Sequence, residues 1–143
     1  MYTLTSLGFA IHHNKGRYIN VILTKAQENG ILQDILASRN IVQYLYIIAY
    51  TLTPLNFAIY KGNNECINSI LIRVQNSDRL RNILTSKDIV QLPGVTYVIK
   101  PFAFAIYKGN NECVNSILIR AKNSSMLQGA FTELYCFHMV DIL

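Results

Sequence analysis

Six side chains in this 143-residue chain are the best suited to nucleophilic or metal chemistry: His12, His13, His138, Cys66, Cys113 and Cys136. Their spacing does not assemble a site. On a helix, His12 and His13 point about 100° apart and cannot share a metal ion. Cys66 and Cys113 fall at the same place in a repeated segment, where an earlier copy carries Tyr18. A small buried side chain explains that better than a reactive one. Cys136 and His138 are two residues apart, and on a helix that spacing puts them on different faces. Glu65 and Glu112 stand near expected helix starts, where a carboxylate complements the positive end of the helix. The chain has no phosphate-cradling glycine loop, no H-E-x-x-H and no G-x-S-x-G. The expectation is a protein with no catalytic residue, no metal and no cofactor.

The elements that would position these residues come from a strongly apolar chain. Hydrophobic residues make up 51% and charged residues 15%, too apolar for disorder and sufficient for one domain spanning 1–143. Three prolines and seven glycines are few for an all-β fold. The net charge is +5, but the thirteen Lys and Arg are dispersed, unlike the basic stripe of a nucleic-acid binder. An odd number of cysteines without a C-x-x-C pair argues against a disulfide scaffold or zinc site and for a reducing, cytoplasmic location. The opening residues Met1 to Ser6 lack the basic start of a secretory signal. Residues 40–60 carry no charge, but Asn40, Gln43, Thr51, Thr53, Pro54 and Asn56 interrupt the apolar run that a membrane span would need.

Self-similarity sets the organisation. Phe57 to Arg73 returns as Phe104 to Arg120, with Ile67 changed only to Val114. A looser copy opens the chain, in which Phe9-Ala10-Ile11 corresponds to Phe57-Ala58-Ile59. The period is about 47 residues, giving units of roughly 3–50, 51–98 and 99–143. Within a unit the apolar residues keep helical spacing, as at Ile67, Ile70, Leu71 and Val74. Pro54 and Pro101 suit a first helical position. Gly62, Gly109 and Asn14 suit a left-handed helix end, and Asn63 or Asn64 can cap the following helix. Ser77 and Asp78 are expected to cap a third helix and Ser86 a fourth. Ile41 to Leu52 can run on as a buried helix.

The segment Thr53-Pro54-Leu55-Asn56-Phe57-Ala58, followed by Gly62-Asn63, Glu65-Cys66-Ile67 and Ile70-Leu71, resembles the ankyrin repeat. The match covers about twenty residues of each unit. The departures are specific. Asn56, Ala103 and Gly8 stand where the family places His, and Ile59, Ile106 and Ile11 replace its second Ala. The family's glycine-bearing β-turn finger is missing between units, and the stretch Asn76 to Gln91, with apolar residues at helical spacing, occupies its place. The expected fold is therefore all-α, a helical repeat solenoid: an ankyrin-like stack of three units with additional helices between them. A three-helix repeat of armadillo or HEAT type is the alternative. The Ile- and Asn-rich composition also resembles ankyrin-like proteins of intracellular bacteria, which would allow delivery into a host cell.

The resemblance implies a scaffold that binds another protein through the first helices of the stack. Carried over by position, that ridge is His12, His13, Tyr60, Lys61, Asn63, Tyr107, Lys108 and Asn110. The apolar tail Leu134 to Leu143 adds a second expectation, a homodimer through apolar terminal faces. A membrane-associated helical protein and a basic nucleic-acid binder are the alternatives to a protein-binding module.

Overall fold

The computed structural model describes residues 1–45, 47–74, 76–123 and 138–141. Three short strands-and-helices units succeed one another. The first contains β1 (Tyr2–Thr3), α1 (Ser6–His12), α2 (Gly16–Glu28) and α3 (Leu32–Ala37). The hairpin β2 (Asn40–Tyr44) and β3 (Ile48–Leu52) leads into α4 (Pro54–Lys61), α5 (Asn64–Arg73) and α6 (Ser77–Leu84). A second hairpin, β4 (Asp88–Leu92) and β5 (Val95–Ile99), leads into α7 (Pro101–Tyr107) and α8 (Asn111–Asn123), with β6 (His138–Asp141) beyond them.

The helix boundaries reflect local chemistry. The Thr5 hydroxyl accepts from the Gly8 amide at 3.0 Å and caps α1. Pro54 and Pro101 open α4 and α7, where a missing N–H leaves no bond unmade. Gly62 ends α4 in the left-handed conformation at φ 69°. Asn63 and Asn110 cap the next helices by accepting from the amides of Cys66 and Cys113 at 3.0 and 3.1 Å. The third helix is capped by Asn76, whose side chain accepts from Asp78 and Arg79, so Asn76 takes the role expected of Ser77 and Asp78. No helix starts at Ser86, which lies between α6 and β4.

Equivalent helices of successive units lie side by side. α4 packs on α1 and α7, and α5 packs on α2 and α8. Leu7, Ile11, Leu23, Leu55, Phe57, Ile59, Ile70 and Leu71 are buried in one continuous core. Side-chain hydrogen bonds cross each junction near its rim. The Asn63 amide donates to Asn14 at 3.1 Å, and that of Asn110 donates to Asn64 at 2.8 Å. Asn64 donates in turn to Glu112 at 2.9 Å, and Arg73 to Thr24 at 3.2 Å.

The expectation of an all-α helical solenoid is corrected by the strands: the chain is mixed helix and sheet. The described strands form one antiparallel sheet in the order β1-β2-β3-β4-β5-β6. Ile41 to Leu52 is not a helix but most of a hairpin, with Ile41 opposite Thr51 and Val42 opposite Tyr50. A hairpin therefore stands at each junction where a turn finger is expected to be missing, and Asp88 to Gln91, expected at helical spacing, is part of β4. The β-branched residues Ile41, Val42, Ile48 and Thr51, like Ile89, Val90, Val95, Thr96, Val98 and Ile99, pack well on a pleated surface. Short apolar runs of this kind fit a strand or a helix equally by periodicity, and pairing across the chain decides between them. The second hairpin turns at Pro93-Gly94, where Gly94 takes φ 76°. Among the described residues no helix is long and apolar enough to cross a membrane.

A buried polar clasp ties each hairpin to the helix at the start of its own unit. In the first unit, Asn40 Oδ1 accepts from the Thr5 amide at 3.0 Å and the Thr5 hydroxyl at 3.1 Å. In the second, Asp88 Oδ2 accepts from the Thr53 amide at 2.6 Å, the Thr53 hydroxyl at 2.8 Å and the Asn56 amide at 2.7 Å. The Arg39 guanidinium lies 3.3 Å from the other Asp88 oxygen, an ion pair without hydrogen-bond geometry. The partner residues match in size. A Cβ at Gly8 would stand 1.9 Å from Asn40 Oδ1, so the first unit has room for its clasp only because position 8 is glycine. Position 56 in the second unit instead supplies a third donor. These are the positions at which the sequence departs from the ankyrin His.

Candidate protein-binding groove

Strand register lines up one row of side chains across the sheet. Tyr2 is opposite Val42, Val42 opposite Tyr50, Tyr50 opposite Val90, and Val90 opposite Tyr97. Large aromatic residues alternate with small β-branched ones, a pairing that favours sheet cohesion. The ends of the first helices face this row. The Tyr2 and His12 rings are 4.2 Å apart, and the Tyr50 and Tyr60 rings 5.0 Å apart. Tyr60 also stacks near Phe57 and Tyr107 near Phe104, each one helical turn back. Between the second hairpin and α7 lies a cavity of about 200 Å³, lined by Tyr50, Val90, Leu92, Tyr97, Ile99, Phe104 and Tyr107.

Lysines run along the rim, each reaching back one unit. The Lys61 ammonium lies 6.0 Å from the Tyr2 ring centre, and that of Lys108 lies 5.2 Å from the Tyr60 ring centre. Both distances are within reach of a cation–π attraction. The result is a diagonal lattice of cation on phenol that shares the side chains of adjacent units. Burial, and then Tyr107, raises the Tyr50 pKa; burial, and then neighbouring tyrosines, raises that of Tyr60. Both phenols therefore stay neutral at physiological pH and can donate a hydrogen bond. Burial lowers the His12 pKa, with Lys61 and His13 adding to the effect, so its ring is held neutral near pH 7. His12 Nδ1 is buried without a hydrogen bond among the described residues. The groove offers neutral aromatic surface inside and positive charge at its edge.

The eight residues expected on the ridge divide into three groups. His12, Tyr60, Lys61, Tyr107 and Lys108 lie along this groove. His13 is exposed, with its ring 4.2 Å from that of Phe9 and edge-on to that of His12 at 4.8 Å. Asn63 and Asn110 lie in the turns beside it, with their side chains taken up by capping and by bonds between units. Tyr2, Tyr50 and Tyr97, which lie outside the ridge expected from sequence, complete the lining. Their signal is present in the chain, because Tyr50 and Tyr97 recur at the spacing of Tyr60 and Tyr107. Cys136 and most of the apolar tail lie outside the described residues, which include only the backbone of His138 to Asp141.

Cys66 and Cys113 are free, buried thiols. Burial, helped by the adjacent Glu65 and Glu112, pushes each thiol up to about 12. The thiolate is the reactive form, so both should be inert while the fold is intact. In a Cys136→Ala background, native protein is expected to react with a thiol reagent only at the rate of unfolding, whereas denatured protein reacts at once at both positions. Rapid labelling of the native chain would place these cysteines at an accessible surface instead.

Among the described residues, no three His, Cys, Asp or Glu side chains gather as a metal site. Comparison of the chain with protein-family models, with curated proteins and with solved structures finds no match.

Proposed function

We propose that the chain is a protein-interaction module without catalysis, which holds a segment of a partner protein against the first-helix ends and the facing sheet. The observation that carries this reading is the tyrosine row crossing three units, opposed by Tyr60 and Tyr107 and edged by Lys61 and Lys108. Tyrosine gives a large, rigid contact with a polar tip and loses little conformational freedom on binding. Lysines on phenol faces favour a partner segment bearing carboxylates. Kinship with the ankyrin repeat is part of the same reading, supported by the Pro54-to-Gly62 helix, its capped successor and the hairpin at each unit junction. Free buried thiols at Cys66 and Cys113 support an intracellular, reducing setting.

The test compares capture by the wild type with capture by the combined variant Tyr60→Ala, Lys61→Ala, Tyr107→Ala and Lys108→Ala, after circular dichroism shows both to be folded. A partner recovered by the wild type should bind the variant at least ~10-fold more weakly, as expected when aromatic anchors are truncated. Equal binding by both would remove the groove from the interface.

A further inference from the structure

The two hairpins of the sheet turn differently. Leu92 and Val95 are the last pair of the second, so two residues, Pro93 and Gly94, close it. Gly94 takes φ 76° there, which glycine does at little cost. Tyr44 and Ile48 are the last pair of the first, so three residues, 45–47, close that one. Its left-handed residue is Leu45, at φ 52°. Leucine is strained in that conformation, which side chains other than those of Asn and Asp seldom adopt.

The strain secures no burial. Leu45 is 76% exposed, Ile47 56% and Tyr44 55%. Pro93 and Gly94 show that this chain can close such a hairpin with ordinary turn residues. With Leu45 and Ile47 it gives up stability twice, once in the backbone and once in apolar surface left in water. Large apolar side chains exposed singly are normal, but these three stand together at the tip of one hairpin.

The surroundings of the tip point to its occupant. So few side chains are too small an area for a stable protein interface, which buries about 1,200–2,000 Å². A bilayer needs no shape-matched pocket. No charged residue lies between Arg39 and Lys61 to oppose entry into apolar surroundings. Tyrosine suits the level of lipid headgroups. Cations lie close by. Burial, and then Tyr2, Tyr50 and Tyr44, raises the Tyr60 pKa, so Tyr44 is near that phenol, and the Lys108 ammonium is 5.2 Å from its ring centre. Lys61 takes the equivalent place over Tyr2, and the whole chain carries a net charge of +5.

We infer that the tip of the first hairpin attaches the protein to the surface of an anionic membrane. Leu45 and Ile47 enter the boundary between headgroups and acyl chains, Tyr44 stays among the headgroups, and Lys61 and Lys108 face the anionic lipids. Stable attachment of this peripheral kind takes two signals, and an apolar insertion with a basic patch supplies both. It involves no spanning helix and does not depend on the partner-binding reading.

Flotation with vesicles of phosphatidylcholine and phosphatidylserine tests this. The wild type is expected to float with them, and far less with vesicles of phosphatidylcholine alone. Leu45→Gly combined with Ile47→Ser should bind at least ~10-fold more weakly, because two inserted apolar side chains are withdrawn. Leu45→Gly by itself should not lower the urea midpoint, since glycine relieves the strained turn; a lower midpoint would mean that Leu45 serves the fold, against the proposal. The chain has no tryptophan, so Leu45→Trp supplies a single reporter, whose emission should move to the blue on vesicles and be quenched by brominated acyl chains. A wild type that does not float, a tip variant that floats equally, or emission that vesicles leave unchanged would each overturn the proposal. So would loss of a captured protein by the tip variant without any vesicle binding, which would assign the tip to a protein partner. Tyr60→Ala with Tyr107→Ala keeps both lysines and should float like the wild type, so failure here and failure of the partner-binding reading are distinguishable.

Discussion

Replacing Asp88 by alanine should cost about 3–5 kcal/mol of folding stability, the loss typical of breaking a buried, hydrogen-bonded charge pair. Three donors converge on one oxygen of this fully buried side chain: the Thr53 amide, the Thr53 hydroxyl and the Asn56 amide. Alanine leaves all three without that partner, and each buried group left unsatisfied costs about 1–3 kcal/mol. Against a typical total of about 5–15 kcal/mol, the variant should unfold at far lower urea concentration. Asp88→Asn is the informative companion. Its amide oxygen can accept the same donors, as Asn40 does in the first unit, and only the ion pair with half-exposed Arg39 is lost. It should stay within about 1 kcal/mol of the wild type at neutral pH.

The two proteins should also differ in pH response. Burial raises the Asp88 pKa, and the bonds from Asn56 and Thr53 and the charge of Arg39 offset this only in part. A carboxyl whose pKa is higher in the folded state binds its proton more tightly there than in the unfolded chain. Its contribution to stability is therefore full below the unfolded value of about 4 and is lost as pH rises through the folded value. Urea titrations from acid to neutral pH should show Asp88→Asn gaining on the wild type as pH rises across that window. The opposite slope would mean that the hydrogen bonds outweigh desolvation.

Phe57→Ala should cost about 3–5 kcal/mol, because it empties a fully buried aromatic site between α4 and its neighbours. Phe9→Ala removes the same side chain from the equivalent but exposed position, and should change monomer stability by no more than about 0.5 kcal/mol. Urea denaturation of both variants, at concentrations where the chain is monomeric, checks the contrast. A large loss at Phe9 would mean that the first unit folds differently from the second.

How much of this was legible in the sequence depended on the distance over which each feature is determined. Pro54, Gly62, Asn14, Asn63 and Asn110 act within one helical turn, and each stands where its local chemistry requires. The hairpins do not work that way. Ile41-Val42-Gln43-Tyr44 and Ile48 to Leu52 become strands by pairing with each other and with β1 and β4. The lack of charge from Asn40 to Tyr60 made a buried helix look equally suitable. The first hairpin turn also lacks the usual punctuation, and Leu45 takes a left-handed φ of 52° there without glycine or proline. Missing the strands meant missing the face they present. Tyr60, Lys61, Tyr107 and Lys108 could be placed from the repeat alone, but Tyr2, Tyr50 and Tyr97 needed the register. The clasps were hidden for the same reason, since Asn40 and Asp88 meet their helices 35 residues back along the chain.

Segments 57–73 and 104–120 are near duplicates, and duplicated stretches of a gene invite loss of the span between them. The clasp opposes that loss. Joining the end of the first duplicate directly to residue 121 would keep Thr53 and Asn56 but remove Asp88. The residue then 35 positions beyond Thr53 would be Tyr135, which carries no carboxylate to receive those donors. An excision that looks seamless in the amino-acid sequence would thus strand the buried donors of Thr53 and Asn56, a cost that the repeat pattern itself does not reveal.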